Sequence, residues 1–404
     1  MKIPNEVTYI IDILNNSGFE AFIVGGCVRD LILHKTPKDW DITTSAPCDT
    51  ICHLFPKTIP TGIKYGTITV ILNNKSFEVT TYRKDNVYTN HRKPDSVSFT
   101  KSLNEDLRRR DFTMNAISYN EKTGFIDLFN GIYDIENKII RCIGNPDKRF
   151  KEDALRMLRA IRFSSTLGFF IEKQTFDSIL ENSALIKSIS AERISIELQK
   201  IIMGEYSKRF ILLYETKILQ NLFPFVENYK YIIKDALQKM SIAPYDLELR
   251  LCILICYIIY NLQANQYLEK IFDRLKFSKR TKKLVRTLYE YYNYSFSNYN
   301  LDTKILLNKM GKEIFFKWLE FYKYLNSHET YAKILDVYNN IVRNNEPIFR
   351  KDLKINGKDL INLDIKNIEI GNTLEYLLSH CFKHPNDNKK AILIKMAKEY
   401  MKTR

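Results

Sequence analysis

The feature that most limits what this chain can fold into is a change of punctuation near residue 145. Before it, short runs such as AFIVGG, DWDITT, YGTITVIL and FEVTTY, rich in Val, Ile, Thr and Tyr, alternate with turns and read as strands. After it, segments such as EDALRMLRAIRFSSTLGF, AERISIELQKIIMGE and TKKLVRTLYEYYNY place apolar residues three and four apart, which is helical. Gly and Pro become rare there, apart from breaks near Pro224, Pro244 and Pro347. The expected fold class is α+β: a head with a mixed sheet, then an all-helical remainder. At 404 residues the chain is too long for one core.

Charge follows the same division. The net charge is +15, yet residues 1–140 hold equal numbers of acids and bases, so the whole excess lies behind the head. A neutral front on a basic back suggests a catalytic head on a body that grips a polyanion, with nucleic acid favoured over membrane. The longest apolar run, CILICYIIY (Cys252–Tyr260), is far short of a membrane span. The opening MKIPNEVTYIIDIL lacks the features of a signal peptide, so a cytoplasmic location is expected. Seven cysteines occur without a CxxC pair. Cys48, Cys52 and His53, like the HCFKH of His380–His384, lack the fourth ligand of a structural zinc site and are expected to be thiols and imidazoles only.

The head carries the chemistry. A strand in AFIVGG runs into Gly25-Gly26, and a helix follows near Val28. Glycines there let backbone N–H groups approach a phosphate, with Arg29 in the first turn able to reach the same anion. Asp39 and Asp41 follow in DWD. On a strand, residues two apart share a face, so the two carboxylates are expected to point together while Trp40 faces the core. Paired carboxylates repel unless cations sit between them, and two Mg²⁺ ions would fill that role. Glu78 in SFEVTTYR is the third acid expected, with Asp85 and Asp111 as rivals.

Two further blocks point to an anion. In EDALRMLRAIRF, read as one helix, Asp153, Arg156, Arg159 and Arg162 recur every three residues. One aspartate cannot partner three arginines, so at least two of them are expected to seek phosphate. The stretch from Thr80 to Phe99 breaks the strand pattern with polar and charged residues, including Arg83, Asp85 and Arg92. An irregular stretch of that length in a compact head is usually functional.

GGCVRD followed by DWD, then DLRRRDFTMNAISYN (Asp106–Asn120), EDALRMLRAIRF, INGKDLI (Ile355–Ile361), IGNTLEYLL and HPNDNKKAIL resembles one family nearly end to end. It is that of the class II tRNA nucleotidyltransferases, the bacterial CCA-adding enzymes, with their sister poly(A) polymerases. The resemblance implies a polymerase-β-like nucleotidyltransferase head at 1–140 and a helical neck with the nucleotide-selecting helix at 141–205. A helical body at 206–285 and a tRNA-binding tail at 286–404 would follow. It implies template-independent addition of CCA to tRNA from CTP and ATP, with release of pyrophosphate. Asp39 and Asp41 would hold two Mg²⁺ ions, Glu78 would assist, and Gly26 and Arg29 would hold the triphosphate. Arg110 would contact the nucleotide and Asp111 its ribose. Asp153 and Arg156 would accept the edges of cytosine and adenine and reject uracil and guanine, with Arg159 and Arg162 steadying the substrate. Arg83, Asp85 and Arg92 would belong to the loop that switches specificity from C to A.

The acceptor and TΨC arms of tRNA would meet the basic back, for example DRLKFSKRTKKLVR (Asp273–Arg286), with one acid in a run of bases. No obligatory protein partner is implied. Rival readings are an enzyme that adds only the terminal A, a poly(A) polymerase, a small-molecule nucleotidyltransferase and a non-catalytic RNA-binding protein. The basic back argues against the third, and the survival of Asp39, Asp41, Glu78 and Asp153 against the last.

Overall fold

The computed structural model describes residues 3–85, 88–89, 93–94, 97–325 and 328–402. Backbone contacts group them into two units: residues 1–237 with 269–276, and residues 238–268 with 277–404. Residues 206–285, the expected body, contribute to both units.

The first unit opens with helix α1 (Asn5–Asn16), which buries Val7, Ile10, Ile11 and Leu14. Strand β1 (Ala21–Val24) follows, buried throughout, then α2 (Gly26–Ile32) and β2 (Asp41–Thr44). Strands β3 (Thr58–Gly62), β4 (Thr67–Leu72) and β5 (Lys75–Thr81) complete one side of a seven-stranded sheet. Its order is Gly124–Asp127, Ile117–Asn120, β1, β2, β5, β4, β3. Only the β2–β5 pair is parallel; the other ladders are antiparallel, so the sheet is mixed as the sequence pattern required.

Register is the property that matters for the site. Asp41 pairs with Glu78 across the parallel ladder, and Glu78 pairs with Thr69 across the next. Residues paired across strands share a face, so these three side chains form a row. The β4–β5 hairpin is closed by Asn73-Asn74, both at positive φ (50° and 59°), with Leu72 opposite Lys75. Two successive positive φ values are the mark of a two-residue turn matched to the twist of the strands, and Asn tolerates them well.

Behind the sheet the unit becomes helical. The helix Leu155–Leu167 buries Leu155, Met157, Leu158, Ala160, Ile161 and Phe163 and packs on Ala191–Ile202. The reading of EDALRMLRAIRF as one helix is corrected here. One helix ends at Glu152, Asp153 is extended at φ −139° and ψ 103°, and the next helix begins at Leu155.

The second unit is helical throughout its described residues. Leu247–Asn261 buries Cys252 and Cys256 among Leu and Ile side chains. Lys279–Glu290 starts at Ser278, whose hydroxyl accepts from the Thr281 amide at 3.1 Å. Trp318 and Phe315 are fully buried within a group of aromatic rings that includes Phe296 and Tyr322. No helix of the described residues is long and apolar enough to cross a membrane.

Candidate active site

The β1–α2 turn shapes the floor. Gly25 sits at φ 84° and ψ −130°, a backbone state that essentially only glycine adopts. A Cβ there would come within 3.1 Å of Arg110 Nη1 and 3.9 Å of Asp41 Oδ2. The glycine pair therefore clears space between a guanidinium and a carboxylate, and Gly25 is the constrained member. Gly26 opens the helix, and a Cβ there would lie 3.7 Å from Arg29 Nη2, an ordinary contact. Arg29 donates to Asp30 Oδ1 at 2.7 Å and to Asn115 Oδ1 at 2.9 Å.

The two aspartates meet one cleft by a different route from the one expected. Asp39 lies in a bend before β2, and Asp41 is the first residue of that strand, so they do not alternate along one strand. Both nevertheless line the same cleft of about 910 Å³, together with Glu78. Trp40 is half-buried and borders a recess with Leu31, Ile32 and Phe125. The Asp41 carboxyl is raised above the usual range. Burial is the main cause, Arg110 opposes it, and the charges of Glu78 and Asp39 push it further up. Three acidic side chains thus border one cleft.

The cleft walls hold Gly25, Gly26, Arg29, Arg83, Arg110, Asp111, Asp153, Arg156, Arg159 and Arg162. Most of the residues singled out in the sequence therefore converge on one cavity. Arg92 and the side chain of Asp85 lie outside the described residues. Arg83 is at the start of the strand Arg83–Asp85, which pairs with Val97–Phe99, and its guanidinium donates to the Tyr65 carbonyl.

The expectation that two of the three helical arginines lack carboxylates is wrong. Arg156 Nη1 bonds Glu152 Oε2 at 2.7 Å, Arg159 Nη2 lies 2.6 Å from Asp111 Oδ2, and Arg162 Nε lies 2.7 Å from Glu197 Oε2. Asp153 in turn holds Arg193 at 2.8 Å through Oδ2 and accepts the Leu155 amide through Oδ1 at 3.1 Å. Arg156 also donates to the carbonyls of Arg149 and Arg109, both at 3.0 Å. Burial acts to raise Asp111, but Arg159 and the Asn115 amide outweigh it, and the carboxyl falls to about 2.

Five residues of this network escaped the sequence reading: Asp106, Asn115, Glu152, Arg193 and Glu197. Asp106 is the most connected. Fully buried, it accepts from Arg109 at 2.8 Å, Arg110 at 3.3 Å, Thr43 Oγ1 at 3.2 Å and the Arg83 amide at 3.4 Å. Burial would raise its carboxyl, yet Arg109 and Arg110 together hold it below the usual range. The signal existed, since Asp106 stands three and four residues before those arginines on a helical stretch. Glu152 likewise precedes Arg156 by four. Glu197 and Arg193 come from another helix, and nothing local announces them.

Consecutive parts of the chain match three family descriptions. They are "Poly A polymerase head domain" at residues 21–141, "Probable RNA and SrmB- binding site of polymerase A" at 168–230, and "tRNA nucleotidyltransferase domain 2" at 252–397. Among curated relatives, the CCA-adding enzyme of Lactobacillus helveticus is 46% identical over 214 residues, 53% of this chain and 54% of its own length. That of Anoxybacillus flavithermus is 44% identical over 59% of each chain. The chain thus spans little more than half the length of the curated relatives it matches. A solved structure, the Bacillus stearothermophilus CCA-adding enzyme in complex with CTP, superposes with a TM-score of 0.81 at 29% identity, covering 100% of this chain and 99% of its own. A Thermotoga maritima CCA-adding enzyme complexed with tRNA shares the fold at a TM-score of 0.64 and 19% identity, over 98% and 95% of the two chains. With the head, the RNA-binding segment and the helical domain all matched in order, the chain belongs to the tRNA nucleotidyltransferase and poly(A) polymerase family.

Proposed function

We propose that this protein adds CCA to the 3′ end of tRNA without a nucleic-acid template, using CTP and ATP and releasing pyrophosphate. The observation that carries the reading is the Asp41–Glu78 register pair on the floor of a cleft whose wall presents Asp153 and Arg156. The 3′-oxygen of the RNA forms a new bond to the α-phosphorus, the α–β phosphoanhydride bond breaks, and the hydroxyl proton passes to solvent.

Asp39, Asp41 and Glu78 fit a pair of Mg²⁺ ions. They offer hard oxygen donors, and the upward push on Asp41 from its two acidic neighbours is the repulsion that divalent cations relieve. Among the described residues no three His, Cys, Asp or Glu side chains converge closely enough to hold an ion unaided, so substrate phosphates and water would have to complete the coordination. When bound, the ions would supply electrostatic stabilisation of the attacking and leaving oxygens. Gly25 and Gly26 admit the triphosphate close to backbone, and Arg29 and Arg110 present guanidinium to it.

Base choice falls to Asp153 and Arg156. A carboxylate accepts from the exocyclic amino group of cytosine or adenine, whereas uracil and guanine offer a carbonyl at that place. An unmatched buried pair costs roughly 1–3 kcal/mol per group, enough for about ten- to hundredfold discrimination. Arg193 and Glu152 hold the two side chains in position, and the carboxylate of Asp153 retains lone pairs for a base. Arg159, braced by Asp111, and Arg162, braced by Glu197, present positive charge to the substrate. Asp111 has both oxygens engaged by Arg159, Asn115 and backbone, so it acts on a ribose mainly by placing Arg159.

The partner is tRNA, its acceptor and TΨC arms meeting the exposed Lys279, Arg280, Lys283 and Arg286. The matched helical domain, described for tRNA nucleotidyltransferases, favours this over a poly(A) polymerase. The test uses tRNAs lacking CCA, ending in C or ending in CC, each with a single nucleotide. Incorporation of C, then C, then A is expected. ATP extension of the CC-ended tRNA with no use of CTP anywhere would reduce the activity to A addition, and untemplated A tails on any RNA would make it a poly(A) polymerase.

A further inference from the structure

Asp106 is fully buried and lines no wall of the cleft, yet three parts of the site are fastened to its carboxylate. We infer that Asp106 is a positioning residue that holds the triphosphate grip of Arg110 and the base-reading Arg156 at one fixed spacing, an inference that rests on the nucleotide-selecting reading above.

Its two oxygens face different partners. Oδ2 accepts from Thr43 Oγ1 at 3.2 Å and from Arg110 Nη2 at 3.3 Å. Thr43 stands two residues after Asp41 on β2, so the two side chains share a face of the sheet. Oδ2 therefore ties Arg110 to the strand that presents Asp41. Among the described residues Asp106 is the only carboxylate that forms an ion pair with Arg110, whose Nε is buried without a hydrogen-bond partner. Oδ1 accepts from Arg109 Nε at 2.9 Å and from Arg109 Nη2 at 2.8 Å. Arg109 closes the C-terminal end of the helix Leu103–Arg108. Its carbonyl accepts from Arg156 Nη2 at 3.0 Å, and the neighbouring carbonyl of Arg108 accepts from Arg149 Nη2. Guanidinium groups suit a helix C-terminus, where carbonyls lack partners within the helix. Arg156 is thus docked on the helix end that Oδ1 fixes.

A carboxylate is rigid and planar, so its oxygens cannot move independently. Arg110 and the seat of Arg156 accordingly keep one separation, and Thr43 fixes both relative to Asp41. A base matched by Asp153 and Arg156 then brings its α-phosphorus to one place before Asp41. An unmatched base cannot be accommodated by sliding the triphosphate grip. Arg109 alone would neutralise the buried charge of Asp106; the further bond to Arg110 directs a side chain of the cleft wall. Charge-assisted bonds are the strong ones, and burial leaves no water to replace a lost partner.

Equilibrium binding of nucleotides to the full chain, with Mg²⁺ and without tRNA, tests this through two ratios. The affinity for CTP over CMP reads the triphosphate grip, and that for CTP over UTP reads base choice. Asp106→Asn is expected to lower both ratios together, each roughly tenfold, the size of a lost charge-assisted bond. Arg110→Ala should lower mainly the first ratio and Asp153→Ala mainly the second. Ile51→Ala, at a buried residue of the helix Cys48–Leu54 outside the cleft wall, controls for stability. Its denaturation midpoint should fall while both ratios hold. If Asp106→Asn fails to fold, Arg109→Lys keeps the charge but loses the paired bond to Oδ1, and should lower the ratio of CTP to UTP several-fold. A folded Asp106→Asn with either ratio unchanged, an unaltered CTP preference in Arg109→Lys, or the same double loss in Ile51→Ala would overturn the inference. A wild-type protein that binds CTP and UTP alike would instead defeat the base-choice reading above, so the two failures are distinct.

Discussion

The cleft of the first unit and the basic helix of the second use positive charge in opposite ways. In the cleft Arg29, Arg110, Arg156, Arg159 and Arg162 are each tied to a carboxylate. On the helix Lys279–Glu290, Lys279, Lys283 and Arg286 are exposed along one short stretch, and Arg280 there meets Glu313 at the open surface. Pairing removes rotamer freedom and fixes direction, so the cleft arginines work at atomic range. Exposed charges create a field that attracts a polyanion wherever its phosphates happen to lie. Net charge therefore says little about a cleft of paired arginines, and more about surfaces open to a polyanion.

The comparison can be broken at four points. Replacing Asp41 by Ala removes the acid most crowded by its neighbours, and nucleotide addition should fall on the order of a thousandfold in kcat, since charge stabilisation by a bound cation is worth several kcal/mol. Near-normal pyrophosphate release would contradict the role of the Asp41–Glu78 row. Asp153→Ala should compress the preference for CTP and ATP over UTP and GTP by roughly ten- to hundredfold, read by competition among labelled nucleotides. Selectivity unchanged from wild type would remove the protein-template argument.

Third, Asp111→Asn tests how far buried pairs hold the cleft wall. With its folded carboxyl at about 2, Asp111 contributes stability that is present above the unfolded value and lost as pH falls through roughly 4 to 2. The variant should lose about 2 kcal/mol near neutral pH, and the gap between the two proteins should shrink toward pH 2, followed by denaturant unfolding. The smallest effect belongs to Lys283→Glu. Its tRNA affinity should weaken several-fold, with a salt slope reduced by about one and kcat at saturating tRNA preserved. A fall in kcat instead would place the basic helix nearer to the chemistry than long-range attraction allows.

How much of this was legible depends on the distance over which each signal acts. The mixed sheet and the helical back were readable because strand and helix periodicities are local. The convergence of Gly26, Asp41, Glu78 and Arg110 was readable from motifs in order. The break at Asp153 was not, because the spacing of KEDALRML looks helical on both sides, whereas the Asp153 carboxylate accepts the Leu155 amide and holds Arg193 from a distant helix. The partners of Arg159 and Arg162 were hidden for the same reason: Asp111 and Glu197 lie 48 and 35 residues away, and no periodicity spans that interval. Asp39 was misplaced because DxD was taken to lie wholly within a strand that begins only at its second acid.

The Asn73-Asn74 turn has a consequence for how this protein could change. A strand slipped by one residue turns every side chain over, so a single insertion in that tight loop would swing Glu78 to the underside of the sheet without touching any acid. Loops that close other hairpins tolerate length variation; here two left-handed asparagines act as the gauge block for a catalytic distance set several residues away. Drift in such a chain should spare the spacing from Leu72 to Glu78 even where the intervening letters change.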